Sequence, residues 1–393
     1  MQPLTAAERE DFRLRLDRRL PSVQTKTADA FAFRHSDPPV IVNSAFYWVF
    51  GLNTDDFPDD YFTDPQVMTS FQERLFYDQI CDIDDDWIPY LMPWFGTVVA
   101  ASAFGSKVQF PPRQDPAVDP HWYPVSTPED VRRLQLPDPE KDGLMPEVLR
   151  FLRYMTANSF LPVGYTDFQG PLTTANQLMG YDKLIYLMAD HPTAMHELMD
   201  KVTTALIDWV RLQKSVIGEA EDEVIGDQQV YLGRNCGVWF SDDDCVLMSP
   251  QSYREFVVPY NARILRAFNG GVIHYCGNAT HQSENFLNTD GLLGINTYAL
   301  HHLAALQELK RRLEGRIVVL ACDFTALDFE SYYRDLLPDL SRRGLILNAQ
   351  FAPAVALLPG GKYDAVRRDP VEGRRAVHRT LRTHLSEARR TSQ

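Results

Sequence analysis

Eight short apolar runs, spread along the chain and mostly separated by helical stretches, constrain the fold more than any other feature. They are Val40-Ile41-Val42, Trp87-Ile88-Pro89-Tyr90-Leu91-Met92, Leu161-Pro162-Val163-Gly164-Tyr165, Glu223-Val224-Ile225-Gly226-Asp227, Gly271-Val272-Ile273-His274-Tyr275-Cys276, Gly291-Leu292-Leu293-Gly294-Ile295-Asn296, Arg316-Ile317-Val318-Val319-Leu320-Ala321-Cys322 and Gly344-Leu345-Ile346-Leu347-Asn348. Between them, apolar residues at helical spacing predict helices over 7–20, 64–80, 192–216, 302–314 and 328–341, and the basic segment 362–393 is predicted helical as well. Thr127-Pro128 and Ser249-Pro250 read as capped helix starts, and the proline- and aromatic-rich stretch 105–126 as an extended excursion. Strands alternating with helices predict a parallel sheet covered by helices. Eight such units without a glycine-rich phosphate loop favour closure into a barrel. The expected fold is α/β, a single (β/α)8 TIM barrel at 37–393 preceded by an N-terminal helical extension at 1–36.

Composition narrows the function classes. The formal net charge of −14 argues against a nucleic-acid surface. No stretch approaches the run of about 20 apolar residues that a membrane-spanning helix needs. The first residues lack the basic head and apolar run of a signal peptide, and five scattered cysteines do not suggest a disulfide framework, so a reducing cytoplasm is expected.

In a (β/α)8 barrel the chemistry sits at the carboxyl ends of the strands. Asn43, Asp167, Asp227, His274, Cys276, Tyr298, Cys322, Asp323 and Gln350 would line that face. His274 and Cys276 stand out because residues two apart in a strand point the same way. An imidazole and a thiolate so presented suit zinc, although a buried cysteine beside a carbonyl-bonded histidine has the same spacing. Asp227 is expected as a general base or substrate partner, or else as a helix cap or the partner of Arg234. Asp167 and Asp243 are further catalytic candidates, against turn-forming roles for each. Tyr47, Trp94, Gln169, Tyr298 and Gln350 are the substrate-binding candidates; the aromatic set including Tyr47 and Trp94 suits a pocket wall as well as core packing. His281, His301 and His302 are loop candidates near the mouth, and Cys236 and Cys245 read as structural.

Three stretches together carry a family likeness. Asp167-Phe168-Gln169-Gly170-Pro171-Leu172, then Ser249-Pro250-Gln251-Ser252-Tyr253-Arg254-Glu255-Phe256 with Pro259-Tyr260, then His274-Tyr275-Cys276-Gly277 resemble the uroporphyrinogen decarboxylase superfamily, in that order along roughly 85–370. The resemblance implies a (β/α) barrel and two activities: porphyrinogen decarboxylation, or methyl transfer from a corrinoid to a thiol such as coenzyme M. The Gly-Pro-x-Thr turn of the decarboxylases is kept as Gly170-Pro171-Leu172-Thr173. Where they carry an amino-terminal arginine pair this chain has Phe46-Tyr47-Trp48. Phe95-Gly96-Thr97 stands in place of their central aspartate, and Gln350-Phe351-Ala352 in place of their Gly-His-Gly. The methyltransferase likeness implies zinc on a His-x-Cys plus a distant cysteine. His274 and Cys276 match the first part; the position of the third ligand reads Asn348-Ala349-Gln350, and Cys322 at the preceding strand end is the expected substitute.

The expected function is therefore a zinc-dependent methyltransferase moving a methyl group between a corrinoid or methylated substrate and a thiol. The alternative is decarboxylation of a small or cyclic carboxylic acid. The expected partners are a small-molecule substrate and a corrinoid protein, with a homodimer as a further expectation.

Overall fold

The strands form because each is a short run of β-branched and aromatic residues closed by glycine, asparagine or proline. In the computed structural model, which describes residues 2–34, 37–44, 57–112, 114–299, 302–358 and 362–391, Val40–Asn43 (β1) pairs with Leu345–Gln350 (β10). The parallel sheet continues through Val318–Phe324 (β9), Leu292–Tyr298 (β8) and Gly271–Cys276 (β7) to Val238–Ser241 (β6). Small antiparallel hairpins lie outside this sheet: Val108–Gln109 (β2) with Ala117–Val118 (β3) in the extended excursion, and Val355–Leu358 (β11) with Lys362–Ala365 (β12) after β10.

Two irregular runs close the circle between β1 and β6. The Leu91 N–H donates to the Pro162 carbonyl at 2.8 Å and the Gly164 N–H to the Leu91 carbonyl at 2.8 Å, while Gln169 bridges Ser241 in parallel. Pro89, Pro93 and Pro162 lack N–H donors, so no regular ladder forms there. On the β1 side, side chains replace the ladder. The carboxylates of Asp86 and Asp85 accept from the N–H groups of Val40 at 2.9 Å and Val42 at 2.8 Å. The acidic run 82–86 is thus built into the barrel wall. Eight strand positions surround one core, and the fold is the expected TIM barrel.

One expected strand is placed differently. Val224–Asp227 (β4) does not join the barrel wall; it pairs antiparallel with Val230–Gly233 (β5), and the wall's fourth position belongs to β6. The turn residues Gln228 and Gln229 both have positive φ, 47° and 64°, the geometry of a tight hairpin usually built from asparagine and glycine. Two glutamines conceal that turn in the sequence. The tip lies inside the barrel: the Gln229 N–H donates to the Tyr90 hydroxyl at 3.1 Å, and Asn348 Nδ2 donates to the Gln228 carbonyl at 3.3 Å. Gly226 is required there, since a Cβ would stand 2.4 Å from the Val230 carbonyl oxygen and 2.6 Å from the Tyr90 ring.

The N-terminal helix is longer than its apolar pattern, running Ala6–Phe31 from a capping box between Thr5 and Glu8. It fastens to the acidic run through Arg19 on Asp85 at 3.2 Å and Lys26 on Asp86 at 2.5 Å. Gln24 reaches Tyr231 of the hairpin, and a cavity of about 490 Å³ lies between them, at the end of the hairpin away from its tip. The C-terminal helix Pro370–Thr391 packs against β1, with Arg374 paired to Asp82.

Candidate metal and substrate site

The loop after β6 is pinned across the tip of β7. Ser241 is in register with His274, and the Asp242 N–H donates to the His274 carbonyl at 2.7 Å. The chain then turns through a short 3-10 helix, Asp243–Val246, which sends successive side chains in different directions. Asp242 is buried and accepts from the Tyr253 hydroxyl at 2.6 Å and Asn261 Nδ2 at 2.8 Å; burial still pushes its carboxyl up to about 7. Asp244 accepts from Asn176. Asp243 alone turns to β7, where its carboxylate accepts from the Cys276 N–H at 2.8 Å.

His274 and Cys276 share a face, as their spacing predicts. His274 Nε2 lies 3.6 Å from Cys276 Sγ and 3.9 Å from Asp243 Oδ1. Among the described residues these three form the one cluster of histidine, cysteine and carboxylate groups close enough to share an ion, with ligand atoms all within 4.8 Å of one another. The second ring nitrogen of His274 sits 3.1 Å from Asn296 Oδ1 on β8. An amide oxygen only accepts, so with Oδ1 facing it Nδ1 carries the proton and Nε2 presents its lone pair to the cluster. Burial holds the imidazole below its ordinary pKa, against the opposing pull of Asp243 and Asn296. Burial, reinforced by the Asp243 carboxylate, pushes the Cys276 thiol far above its ordinary range. A carboxylate and a sulfur forced together without a cation is the arrangement that a metal relieves. Nitrogen, sulfur and oxygen donors together fit zinc.

Cys322 is not in this cluster. It pairs in register with Tyr298, which itself pairs with Cys276, so Tyr298 stands between the two cysteines. Cys322 is buried beside Asn348 and Asn296, and burial pushes its thiol far up. The third donor beside His274 and Cys276 is Asp243, whose arrival depends on the pinned loop. Tyr298 sets its ring edge-on to His274 at 5.3 Å and stacks on Phe324 at 5.1 Å.

Below the cluster lies a buried polar floor. Asp227, at the end of β4, is fully buried, and neither carboxylate oxygen has a hydrogen-bond partner. Its pKa is driven well up by burial, tempered by the nearby Asn296 amide and reinforced by Asp167. The expected pairing with Arg234 does not form: Arg234 binds Glu223 on the surface. Asp167, also buried, accepts from Gln169 Nε2 at 2.8 Å and is pushed up to about 7 by burial, with Asp243 and Asp115 adding. Trp94 donates from Nε1 to Asp115 at 2.7 Å. Gln350 is buried on β10, and its Nε2 has no partner. Tyr47 and His301 lie outside the described residues; His302 is exposed, and His281 binds the Met248 carbonyl at 3.1 Å. Asn296 is the functional residue that the sequence reading missed. Its signal was present: a polar residue two positions before Tyr298 in an apolar strand.

Comparison with known proteins agrees with this architecture. Residues 91–220 match the family model of uroporphyrinogen decarboxylase (URO-D). A solved methyltransferase from Methanosarcina mazei superposes with a TM-score of 0.63 at 15% identity, covering 92% of this chain and 98% of that one. No curated protein matches the sequence. The resemblance to the uroporphyrinogen decarboxylase superfamily is borne out by segment and by fold; at 15% identity the structural likeness speaks for the fold alone.

Proposed function

We propose that this chain is a zinc-dependent methyltransferase that moves a methyl group between a corrinoid or methylated substrate and a thiol. The observation that carries the reading is the convergence of Asp243, His274 and Cys276 at the tip of β7, with Asn296 fixing the histidine tautomer. Three protein donors leave a coordination position open, the pattern of catalytic rather than structural zinc. Zinc held there would supply the positive charge that lets a thiol exist as thiolate at neutral pH. The chain's own groups do the rest. Asn296 holds His274 in its ligating tautomer, Asp243 offsets the ion's charge, and Tyr298 walls the site against β9. Asp227 and Asp167 sit beneath as proton-holding groups, and Gln169 fixes the Asp167 carboxylate. The methyl donor, on a corrinoid protein or as a free methylated compound, would be presented at the barrel mouth.

The test is metal content followed by activity. Purified protein should hold one zinc per chain, and His274→Ala and Cys276→Ser should each reduce it to under about a tenth. With zinc bound, methylcobalamin and a thiol should give the methyl thioether, and neither variant should. Protein that takes up no zinc yet releases carbon dioxide from a carboxylated substrate would overturn this reading in favour of decarboxylation.

A further inference from the structure

The barrel mouth has a charge pattern that the metal cluster does not account for. The segments leading from each strand tip toward the following helix are 44–64, 93–106, 170–182, 242–253, 277–291, 299–309, 325–333 and 351–361. None contains a lysine or arginine, while they hold Asp55, Asp56, Asp59, Asp60 and Asp64 after β1 alone. The buried bases among the described residues are committed elsewhere: Arg19 to Asp85, Lys214 to Glu219, Lys310 to the Arg343 carbonyl and Arg374 to Asp82. The floor beneath the cluster is acidic as well. Asp227 has two oxygens without hydrogen bonds although it is fully buried, and the Gln229 Oε1 beside it is also buried and unpartnered. Buried acceptors are almost always satisfied, so a row of empty ones marks where a donor-bearing molecule sits. A carboxylate, sulfonate or phosphate entering here would meet like charge and find no basic side chain to balance it. A cation would be drawn in by the field of the mouth and find carboxylates at its end.

We infer that the substrate of this barrel carries an amine or ammonium group as its polar end, and that Asp227 and Asp167 on the floor receive it. The inference rests on the reading above that the cluster at the β7 tip marks the substrate site, and it narrows that reading to an amine-bearing thiol or a methylated amine. The floor is reached from the cluster through one residue: Asn296 touches His274 with its oxygen and lies beside Asp227. A short molecule with sulfur or methyl at one end and nitrogen at the other spans that interval.

Three thiols of similar length separate the alternatives: 2-aminoethanethiol, 3-mercaptopropionate and 2-mercaptoethanesulfonate, each titrated calorimetrically against zinc-loaded and metal-free protein. The aminothiol should bind at least about ten-fold more tightly than either anionic thiol, with the gap shrinking as salt rises. In Asp227→Asn the gap should fall to within about three-fold; Asp167→Asn serves the same purpose should the first variant fail to fold. A methylated amine, trimethylamine, competing with 2-aminoethanethiol would place both on the same floor. Equal or tighter binding of an anionic thiol, binding of none of the three to zinc-loaded protein, or a gap untouched in both variants would overturn the inference. Zinc bound without an amine preference sinks this inference alone. An amine preference in protein that takes up no zinc sinks the metal reading alone.

Discussion

The tip of β7 and the tip of the β4–β5 hairpin are both buried and polar, and they meet at Asn296, yet their chemistry is opposite. At β7 the polar groups face one another: imidazole nitrogen, thiol sulfur and carboxylate oxygen within 4.8 Å. At the hairpin they face nothing: Asp227 has no hydrogen-bond partner, nor has Gln229 Oε1. The first pattern is a ligand shell awaiting a cation; the second is a wall awaiting a molecule. The two are rigid for different reasons. The β7 tip is held on both sides by parallel strands, whereas the hairpin tip is held by its two left-handed glutamines and by Tyr90 and Asn348.

The sharpest way to break this contrast is at Gly226. A methyl group there has no room against the Val230 carbonyl and the Tyr90 ring. Gly226→Ala should lower unfolding free energy by about 3 kcal/mol in denaturant titration. Protein that remains folded should still bind zinc, because the triad does not touch this turn. A loss under about 1 kcal/mol would mean that the hairpin tip yields and is no fixed floor.

The residue shared by both regions gives the next largest effect. Asn296→Leu keeps the side chain's size but frees the His274 tautomer. Zinc affinity, read by competition with a chelator, should fall roughly 10- to 100-fold. An unchanged affinity would show that Asn296 does not act through the imidazole.

The floor also leaves a signature in stability against pH. Asp167 and Asp242 are pushed up to about 7 and Asp227 further, all by burial. Between the unfolded pKa near 4 and these folded values, the native state keeps protons that the unfolded chain has released. Stability should therefore fall as pH rises from about 5 to 8, by up to about 1.4 kcal/mol per pH unit for each group in its window. Below about 4 the exposed carboxylates that sit low, such as Glu8 beside Arg74, lose their contribution and stability falls again. Asp227→Asn should flatten the slope between pH 5 and 8; an unaltered slope would show that Asp227 is already ionised in the folded chain.

How far the sequence carries depends on whether the determinant is local. Strand alternation is local, so the barrel and the shared face of His274 and Cys276 were legible. Asp243 was legible as a candidate, but its place beside the cysteine follows from β6 pairing with β7, which no local spacing encodes. The hairpin was misread because the signal for such a turn is asparagine or glycine, and Gln228-Gln229 offers neither. β6, with Trp239 and Phe240, went unassigned for the same reason: once Glu223–Asp227 filled the fourth position, no place was left for it. The acids 82–86 looked like a solvated run; their binding to the β1 N–H groups became visible only when the second wall strand proved too proline-rich to pair.

The smallest expected effect tests the division between the regions most directly. Spacing alone would make Cys322 as good a third ligand as any, since it ends the strand next but one to β7. Register places Tyr298 between Cys322 and Cys276, and the thiol meets the amides of Asn348 and Asn296 instead. Cys322→Ala should therefore leave one zinc per chain, with affinity changed by less than about three-fold, while removing a small side chain from the core at about 1 kcal/mol of stability. Loss of the metal in this variant would move the third ligand from the pinned loop to β9. Asp243 would then become free to act on substrate, and the contrast between a closed ligand shell and an open floor would have to be drawn again.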